Sequence, residues 1–200
     1  MRKRWVWIPV LVSLIAVAGC GGDSKSGAAT ATNEGTVAPS TETEAPELLG
    51  SWHRAQTCEE MLAAFEEAGL AESQRGWLQG NFFGGKSGPK KGDPCVGAEG
   101  PLEHDHFFTA EGAFGSHDQN GEEVDSGDFE LVDENTVSFP SHAEEFGYDG
   151  GLVVDYTVSG DGVTFEVALP DPCVKACADA YAWALSAFAS GPWERGEVPL

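Results

Sequence analysis

Residues 104–139, HDHFFTAEGAFGSHDQNGEEVDSGDFELVDENTVSF, carry the pattern that decides the fold of this chain. Short alternations of apolar and polar residues are separated by two compact turn sequences, DQNG at 118–121 and DEN at 133–135. Asn, Asp and Gly tolerate the positive φ angles that tight hairpin turns require. The stretch therefore predicts consecutive antiparallel hairpins that must bury one apolar face.

Alternation of the same kind before and after this stretch predicts about eight strands in the 200 residues. These strands lie near 49–54, 104–109, 112–118, 125–132, 135–139, 152–158, 162–168 and 192–198. An antiparallel meander of this size can close into a small barrel without free edges. A two-sheet sandwich is the alternative. Large aromatic side chains are expected inside, namely Trp52, Phe108, Phe114, Phe129, Phe139 and Phe165.

Two helical insertions accompany the strands, so the predicted fold class is mainly β with α insertions. Thr57 and Glu60 form a capping box directly after the first strand, and apolar residues follow at helical spacing. A short second helix is expected at 72–79. Asp171 and Pro172 predict the start of another helix before the last strand, because Pro is favoured at the first helical position. The segments 80–101 and 142–151 are expected to be loops.

The first 47 residues have the composition of an export signal and a tether. Residues 1–19 combine a basic start with an apolar stretch that is too short to span a bilayer, which is typical of a signal peptide. Residues 17–20, VAGC, resemble the lipobox of bacterial lipoproteins, and that resemblance implies cleavage before Cys20 and lipidation of its thiol. Residues 20–47 are then a lipidated cysteine and a disordered tether. The folded domain is expected at 48–200, held at the extracytoplasmic face of the cell membrane by its acyl chains.

The charge of the chain excludes one class of partner. The net charge is −22, and three of the 11 basic residues lie in the predicted signal peptide. The rest of the chain carries 8 Lys and Arg against 33 Asp and Glu, a net charge of −25. Such a surface repels phosphate backbones, so nucleic acid is not an expected partner.

Four cysteines remain in the domain once Cys20 is lipidated: Cys58, Cys95, Cys173 and Cys177. An even number in an exported protein predicts two disulfides. Of the three possible connectivities, the pairs nearest in sequence, Cys58–Cys95 and Cys173–Cys177, are favoured. Two cysteines one turn apart inside a regular helix have poorly directed Cβ vectors, so Cys173 should precede the helix or lie at its irregular start.

Histidines and carboxylates offer the only candidate chemistry. His104 and His106 share one face of a strand and could present two imidazoles to a metal, with His117 as a third ligand from the paired strand. Ser141, His142, Glu144 and Glu145 cluster in the predicted loop. Paired carboxylates can perform acid–base work, but no nucleophile motif is present, and no catalytic function or cofactor is expected.

Gly50-Ser51-Trp52 at the start of the first strand, followed by a meander, a late helix and a strand with Arg195, resembles the calycin or lipocalin-like architecture. The resemblance implies that Arg195 packs over Trp52 and closes one end of the barrel, where a cation–π contact is favourable. The segments TCEE at 57–60, HFFTAEG at 106–112 and DSG at 125–127 are similar to secreted lipoproteins of high-GC Gram-positive bacteria. No activity comes with that similarity.

The expected function is therefore that of a membrane-anchored, non-catalytic binding module. Its partner is expected to be a small apolar ligand held in a lined cavity, or a protein of the cell envelope. One alternative is a structural or accessory envelope lipoprotein with a filled barrel. The other is a metal-binding protein that uses His104 and His106.

Overall fold

The computed structural model of the chain describes residues 47–84 and 86–196. The predicted signal peptide, the lipidation site Cys20 and the tether up to residue 46 lie outside the described residues. None of the helices in the described ranges combines the length and the apolar character needed to cross a membrane.

The described residues contain nine strands, which form one antiparallel sheet in the order β4-β3-β2-β1-β9-β8-β7-β6-β5. The strands are β1 Gly50–Gln56, β2 Leu102–Phe108, β3 Ala113–Asp118, β4 Glu123–Asp128, β5 Glu130–Leu131, β6 Thr136–Ser138, β7 Val153–Ser159, β8 Gly162–Glu166 and β9 Trp193–Arg195. Strands that are consecutive in sequence pair with each other, except β4 and β5, and β9 pairs with β1. The sheet therefore curls into a nearly closed meander barrel, which confirms the predicted fold class and excludes the two-sheet sandwich.

The additional strand arises where a single strand was predicted at 125–132. At Phe129 the chain changes its pairing partner. The Phe129 backbone N–H still donates to the carbonyl of Gly112, next to the last β3–β4 pair, but from Glu130 on the chain pairs with β6. The Phe129 side chain is buried in the core. Strands β4 and β5 thus become the two ends of the sheet, and the barrel is left open between them.

Four helices accompany the sheet in the described part of the chain: α1 Cys58–Glu67, α2 Ala71–Phe82, α3 Pro140–Glu145 and α4 Ala176–Phe188. The capping box of α1 is present, with Thr57 accepting from the backbone of Glu60 and the Glu60 side chain accepting from the backbone of Thr57. Helix α3 corrects the prediction of an uninterrupted loop at 142–151. The sequence feature that indicates this helix is Pro140, because proline is favoured in the first helical turn.

The start of α4 was predicted incorrectly. Asp171 and Pro172 precede the helix, which begins at Ala176 after Lys175, a residue with φ +51°. A positive φ is incompatible with a right-handed helix, so the helix cannot extend back through Lys175. Cys173 consequently lies outside the helix and Cys177 in its first turn.

Helix α4 is buried on all sides from Ala180 to Phe188, where its residues are almost all apolar. Ala180, Tyr181, Ala184 and Phe188 pack with the inward-facing aromatic side chains of the barrel. Ala182 and Leu185 pack with α1 and α2 on the other side. The helix therefore joins the barrel to the α1–α2 pair.

Aromatic rings fill the barrel next to α4. Ring centroids lie 4.9 Å apart for Phe139 and Phe188, 5.5 Å for Phe188 and Trp193, and 4.5 Å for Phe165 and Trp193. This region was the expected place for an apolar ligand. Side chains occupy it instead.

Both predicted disulfides are confirmed. Cys58–Cys95 ties the start of α1 to the loop that precedes β2, with a Cα–Cα distance of 5.7 Å. Cys173–Cys177 closes over the start of α4, with a Cα–Cα distance of 5.3 Å. The first bridge is buried at the centre of the α1–α2 cluster.

Candidate functional site

A cleft of about 580 Å³ opens at the end of the barrel where β1 and β3 finish and β2 and β4 begin. Its volume falls in the range of about 300–1,000 Å³ that small-molecule sites occupy. The inner faces of β1–β4 form its floor, and side chains from α2, α3 and α4 form its walls. The side chains that matter most are Arg54, His104, His106, Ser116, Asp125 and Trp183.

Sheet register brings the polar floor together. Arg54 on β1 lies opposite His104 on β2, and His106 on β2 lies opposite Ser116 on β3. Ser116 in turn lies opposite Asp125 on β4. Because alternate residues of a strand face the same side, all five side chains belong to the inward face, where most neighbouring positions are aromatic or aliphatic.

Arg54 is the centre of the floor and is only 4 % exposed. Its Nε donates to His106 Nε2 at 2.8 Å, one terminal nitrogen donates to Gln56 Oε1 at 2.9 Å, and the other donates to His104 Nδ1 at 3.1 Å. Burial lowers the pKa of Arg54 to about 10, so the side chain is charged at neutral pH. In the described ranges, no carboxylate forms an ion pair with it.

The two imidazoles beside Arg54 are neutral at neutral pH. Burial and the charge of Arg54 lower the pKa of His104 to about 4, against the opposing effect of nearby aspartates. Burial, then Arg54, His104 and His53, lower the pKa of His106 well below its usual value. Because an arginine can only donate, each imidazole accepts through one nitrogen and carries its proton on the other. The free donors are therefore His104 Nε2–H and His106 Nδ1–H.

This arrangement does not suit the predicted metal site. The Arg54 guanidinium donates to one nitrogen of each imidazole. These hydrogen bonds occupy the lone pairs that would otherwise bind a metal cation. His117 pairs in register with Asp105, on the opposite face of the sheet from His104, and its ring packs on Phe107. Among the described residues, no three His, Cys, Asp or Glu side chains are grouped to hold a metal ion.

Two buried polar atoms on the floor have no partner among the residues that the structure describes. They are Nδ1 of His106 and Oγ of Ser116. Arg54 itself uses three of its five N–H groups in the bonds above. Buried donors without acceptors are costly, and native structures rarely leave them unpaired. The floor therefore offers unpaired N–H and O–H donors next to the positive charge of Arg54.

Asp125 marks the boundary between the floor and the mouth of the cleft. His142 Nε2 lies 3.0 Å from one carboxylate oxygen, and the Trp183 indole donates to the other at 2.9 Å. Burial alone would raise the pKa of Asp125, but the hydrogen bonds and charge of His142, with the bond from Trp183, lower it below its usual value. His142 also stacks on Trp183, with ring centroids 3.8 Å apart.

The close approach of α3 to β4 explains Gly127. A Cβ at this position would lie 2.5 Å from Ser141 Oγ and 2.6 Å from a His142 ring carbon. Ser141 Oγ also accepts from the backbone N–H of Asp128. Of the predicted cluster, Ser141 and His142 therefore position Asp125 and β4, Glu145 lines the cleft, and Glu144 is exposed outside its lining.

No sequence motif singled out Arg54, the central residue of this site. Arg54 was predicted only to belong to the first strand. Trp52, Arg54 and Gln56 occupy every second position of that strand. That alternation puts a cation on the same face as a core tryptophan, which was the available signal. The contributions of Ser116, Asp125 and Trp183 depend on register and on helix placement, and no sequence motif indicates them.

Comparison of the chain with protein-family models, with curated proteins and with solved structures found no significant match.

Proposed function

We propose that this protein is an extracytoplasmic, lipid-anchored binding protein that takes a small ligand in the cleft by an anionic group, a carboxylate in particular. The role is non-catalytic. The Arg54 guanidinium binds the anion, and Ser116 and His106 supply further donors. This proposal replaces the apolar ligand expected from the sequence with a polar one.

The observation that carries the proposal is the buried charge of Arg54 without a carboxylate partner in the described ranges. Removing a charge from water costs several kcal/mol unless an opposite charge and good hydrogen bonds compensate it. Its three hydrogen-bond partners are neutral, so no described residue in direct contact supplies the counter-charge, and the ligand takes that role in this proposal. A guanidinium binds a carboxylate in a planar, two-bond geometry that neutral partners do not provide.

The extracytoplasmic location is supported by the sequence of residues 1–20 and by the two disulfides. A basic start, an apolar stretch and VAGC together resemble a lipoprotein signal. Disulfides persist in oxidising compartments. A tether of the length predicted for residues 20–47 would hold the cleft about 30 Å from the membrane, within reach of ligands in the surrounding medium.

Isothermal titration of the purified full chain with 3-phenylpropionate and with the neutral 3-phenylpropan-1-ol tests the proposal. The carboxylate should bind and the alcohol should bind at least about tenfold more weakly, because hydrogen bonds to charged groups contribute about 1.5–3 kcal/mol. Arg54→Gln should remove this preference. Arg54→Lys keeps the charge without the planar fork and should weaken binding less.

Arg75→Gln is the matched control, because the Arg75 side chain bonds to the carbonyl of Pro89 and does not line the cleft. It should bind the carboxylate as the parent does. Equal binding of the acid and the alcohol, or a carboxylate preference that survives in folded Arg54→Gln, would contradict the proposal.

A further inference from the structure

The mouth of the cleft carries the opposite charge from its floor. Asp118 on β3, Asp125 on β4 and Glu145 on α3 all line it, whereas Arg54 is the cation among the buried floor residues. Hydrogen bonds from the Asn120 and Glu122 backbones hold Asp118 in a fixed orientation. Glu145 is exposed, and no hydrogen bond to its carboxylate is formed within the described ranges. The cleft is thus negatively charged at its mouth and positively charged at its floor.

This polarity constrains what can enter. A simple anion would have to pass three carboxylates, on a chain whose net charge is already −22, before it reached Arg54. Like charges repel, and this repulsion is one of the ways in which sites discriminate between ligands. A simple cation would find the carboxylates but would also meet the buried guanidinium. A ligand that carries both charges satisfies both ends of the cleft.

The walls accommodate an apolar part between the two charges. Trp183 is almost fully buried, and one edge of the cleft is formed by the half-buried Trp77 on α2. Indole faces attract ammonium groups as well as apolar groups. The volume of about 580 Å³ is ample for a molecule of the size of an amino acid or a dipeptide.

We infer that the ligand is a small zwitterion, whose carboxylate binds Arg54, Ser116 and His106 and whose ammonium group faces Asp118, Asp125 and Glu145. The inference rests on the proposed function, since it takes Arg54 as the anion-binding group. Beyond the proposed function, the inference assigns an ammonium group to the ligand. A free amino acid or a short peptide carries both groups.

Four probes test the inference by titration calorimetry on the full chain. L-phenylalanine and the dipeptide L-alanyl-L-phenylalanine carry both charges at two different spacings. 3-Phenylpropionate lacks the ammonium group, and phenethylamine lacks the carboxylate. We expect at least one zwitterion to bind about tenfold or more tightly than both singly charged probes, because it adds a charge-assisted contact at the mouth.

Glu145→Gln and Asp118→Asn test the ammonium end. Each should reduce the ratio of zwitterion affinity to 3-phenylpropionate affinity several-fold, and each should strengthen 3-phenylpropionate binding because a repelling carboxylate is gone. Glu144→Gln is the matched control for Glu145, since it removes the same charge from the adjacent exposed position of α3 outside the cleft. It should leave the ratio at the parental value. Thermal unfolding of each variant verifies that it is folded.

The outcomes separate the two levels of the proposal. If 3-phenylpropionate binds as tightly as both zwitterions, the ligand is an anion; the zwitterion inference is then wrong and the proposed function stands. If phenethylamine binds best, or if Arg54→Gln binds the zwitterion as the parent does, the floor does not bind a carboxylate and both proposals are wrong. Failure of all four probes to bind also counts against both.

Discussion

The Arg195 guanidinium carbon lies 3.9 Å from the centroid of the Trp52 ring, although the two residues come from the last and first strands of the barrel. They are direct partners in the β1–β9 ladder. The two terminal nitrogens of Arg195 donate to the carbonyls of Leu49 and Glu47, and the Trp52 indole donates to the carbonyl of Leu48. One side chain thus joins the entry segment, the first strand and the last strand.

Gly50 is part of the same arrangement. Its φ is +127°, and a Cβ at this position would lie 2.6 Å from a terminal nitrogen of Arg195. Glycine alone adopts this backbone conformation without strain and leaves room for the guanidinium. The spacing of Gly50 and Trp52 is therefore explained by the passage of Arg195 across the first strand.

A double-mutant cycle should detect this contact. Trp52→Ala should lower the free energy of unfolding by about 3–5 kcal/mol as a large-to-small change in the core. Arg195→Ala should lower it by about 1–2 kcal/mol through lost stacking and packing. Because both changes remove the same contact, the double variant should lose about 1 kcal/mol less than the sum. Urea unfolding measures all three values.

Glu194→Ala is the control for this cycle, since Glu194 is exposed and lies beside Arg195 in the same strand. It should change stability by less than about 0.5 kcal/mol and should be additive with Trp52→Ala. Strict additivity of Arg195→Ala with Trp52→Ala would show that the contact contributes no coupling energy.

The two disulfides should differ in how much they stabilise the domain. Cys58–Cys95 spans 37 residues and Cys173–Cys177 spans 4. Cross-linking reduces the entropy of the unfolded chain more for longer loops, by about 4 kcal/mol and about 2 kcal/mol for these lengths. Replacing both cysteines of the first bridge by Ala should therefore lower the free energy of unfolding more than the same change at the second bridge.

Chemical denaturation of the two double variants measures the difference, and non-reducing peptide mapping of the parent verifies the pairing. A larger loss of stability on removal of Cys173–Cys177 would contradict the entropy argument. That bridge would then act mainly by holding the start of α4 in place in the folded state. A free thiol at Cys58 or Cys95 in the parent would remove the first bridge from the argument altogether.

The parts of the fold that follow from local sequence were predictable. The hairpins follow from alternation and turn residues, and α1 follows from Thr57 and Glu60, whose capping box needs only a spacing of three residues. The contact of Trp52 with Arg195 was predicted from the resemblance to calycins. It is present in the structure, whereas membership of that family stays a prediction.

The remaining features depend on interactions that no local pattern records. Lys175 adopts a positive φ where the sequence predicted a continuous helix, and the pairing partner of the chain changes from β3 to β6 at Phe129. The cleft depends on the register of β1–β4 and on the approach of α3 permitted by Gly127. Arg54 could have been identified as an inward-facing cation, but its lack of a carboxylate partner appears only in three dimensions.

Membrane anchoring is predicted from the sequence alone. Cys20→Ser removes the thiol that would carry the acyl chains, so the protein should leave the membrane fraction for the medium or remain unprocessed. Membrane fractionation and intact mass measure the two effects. The control is Ser24→Ala, which alters a nearby tether residue and should leave anchoring unchanged. Processing and membrane association of Cys20→Ser at the parental level would refute the lipoprotein prediction.

Acid should destabilise the domain through the histidines of the cleft floor. Burial and Arg54 hold the pKa of His104 at about 4, against 6.5 for an unperturbed histidine, and the pKa of His106 is lowered by the same causes. As the pH falls below about 6.5, the unfolded chain therefore binds protons that the folded chain does not. Their contribution to stability is fully present above that pH and is lost as the pH falls toward about 4.

Urea unfolding at intervals between pH 7 and pH 4.5 measures this loss. His104→Gln retains an acceptor for Arg54 but cannot titrate, so the free energy of unfolding should fall less steeply with decreasing pH than in the parent. His117→Gln is the matched control, because His117 lies on the outer face of β3 and does not contact Arg54. It should keep the parental slope. A His104→Gln variant that is folded and shows the parental slope would mean that His104 is not held neutral beside Arg54, and the set of neutral donors on the cleft floor would then be wrong.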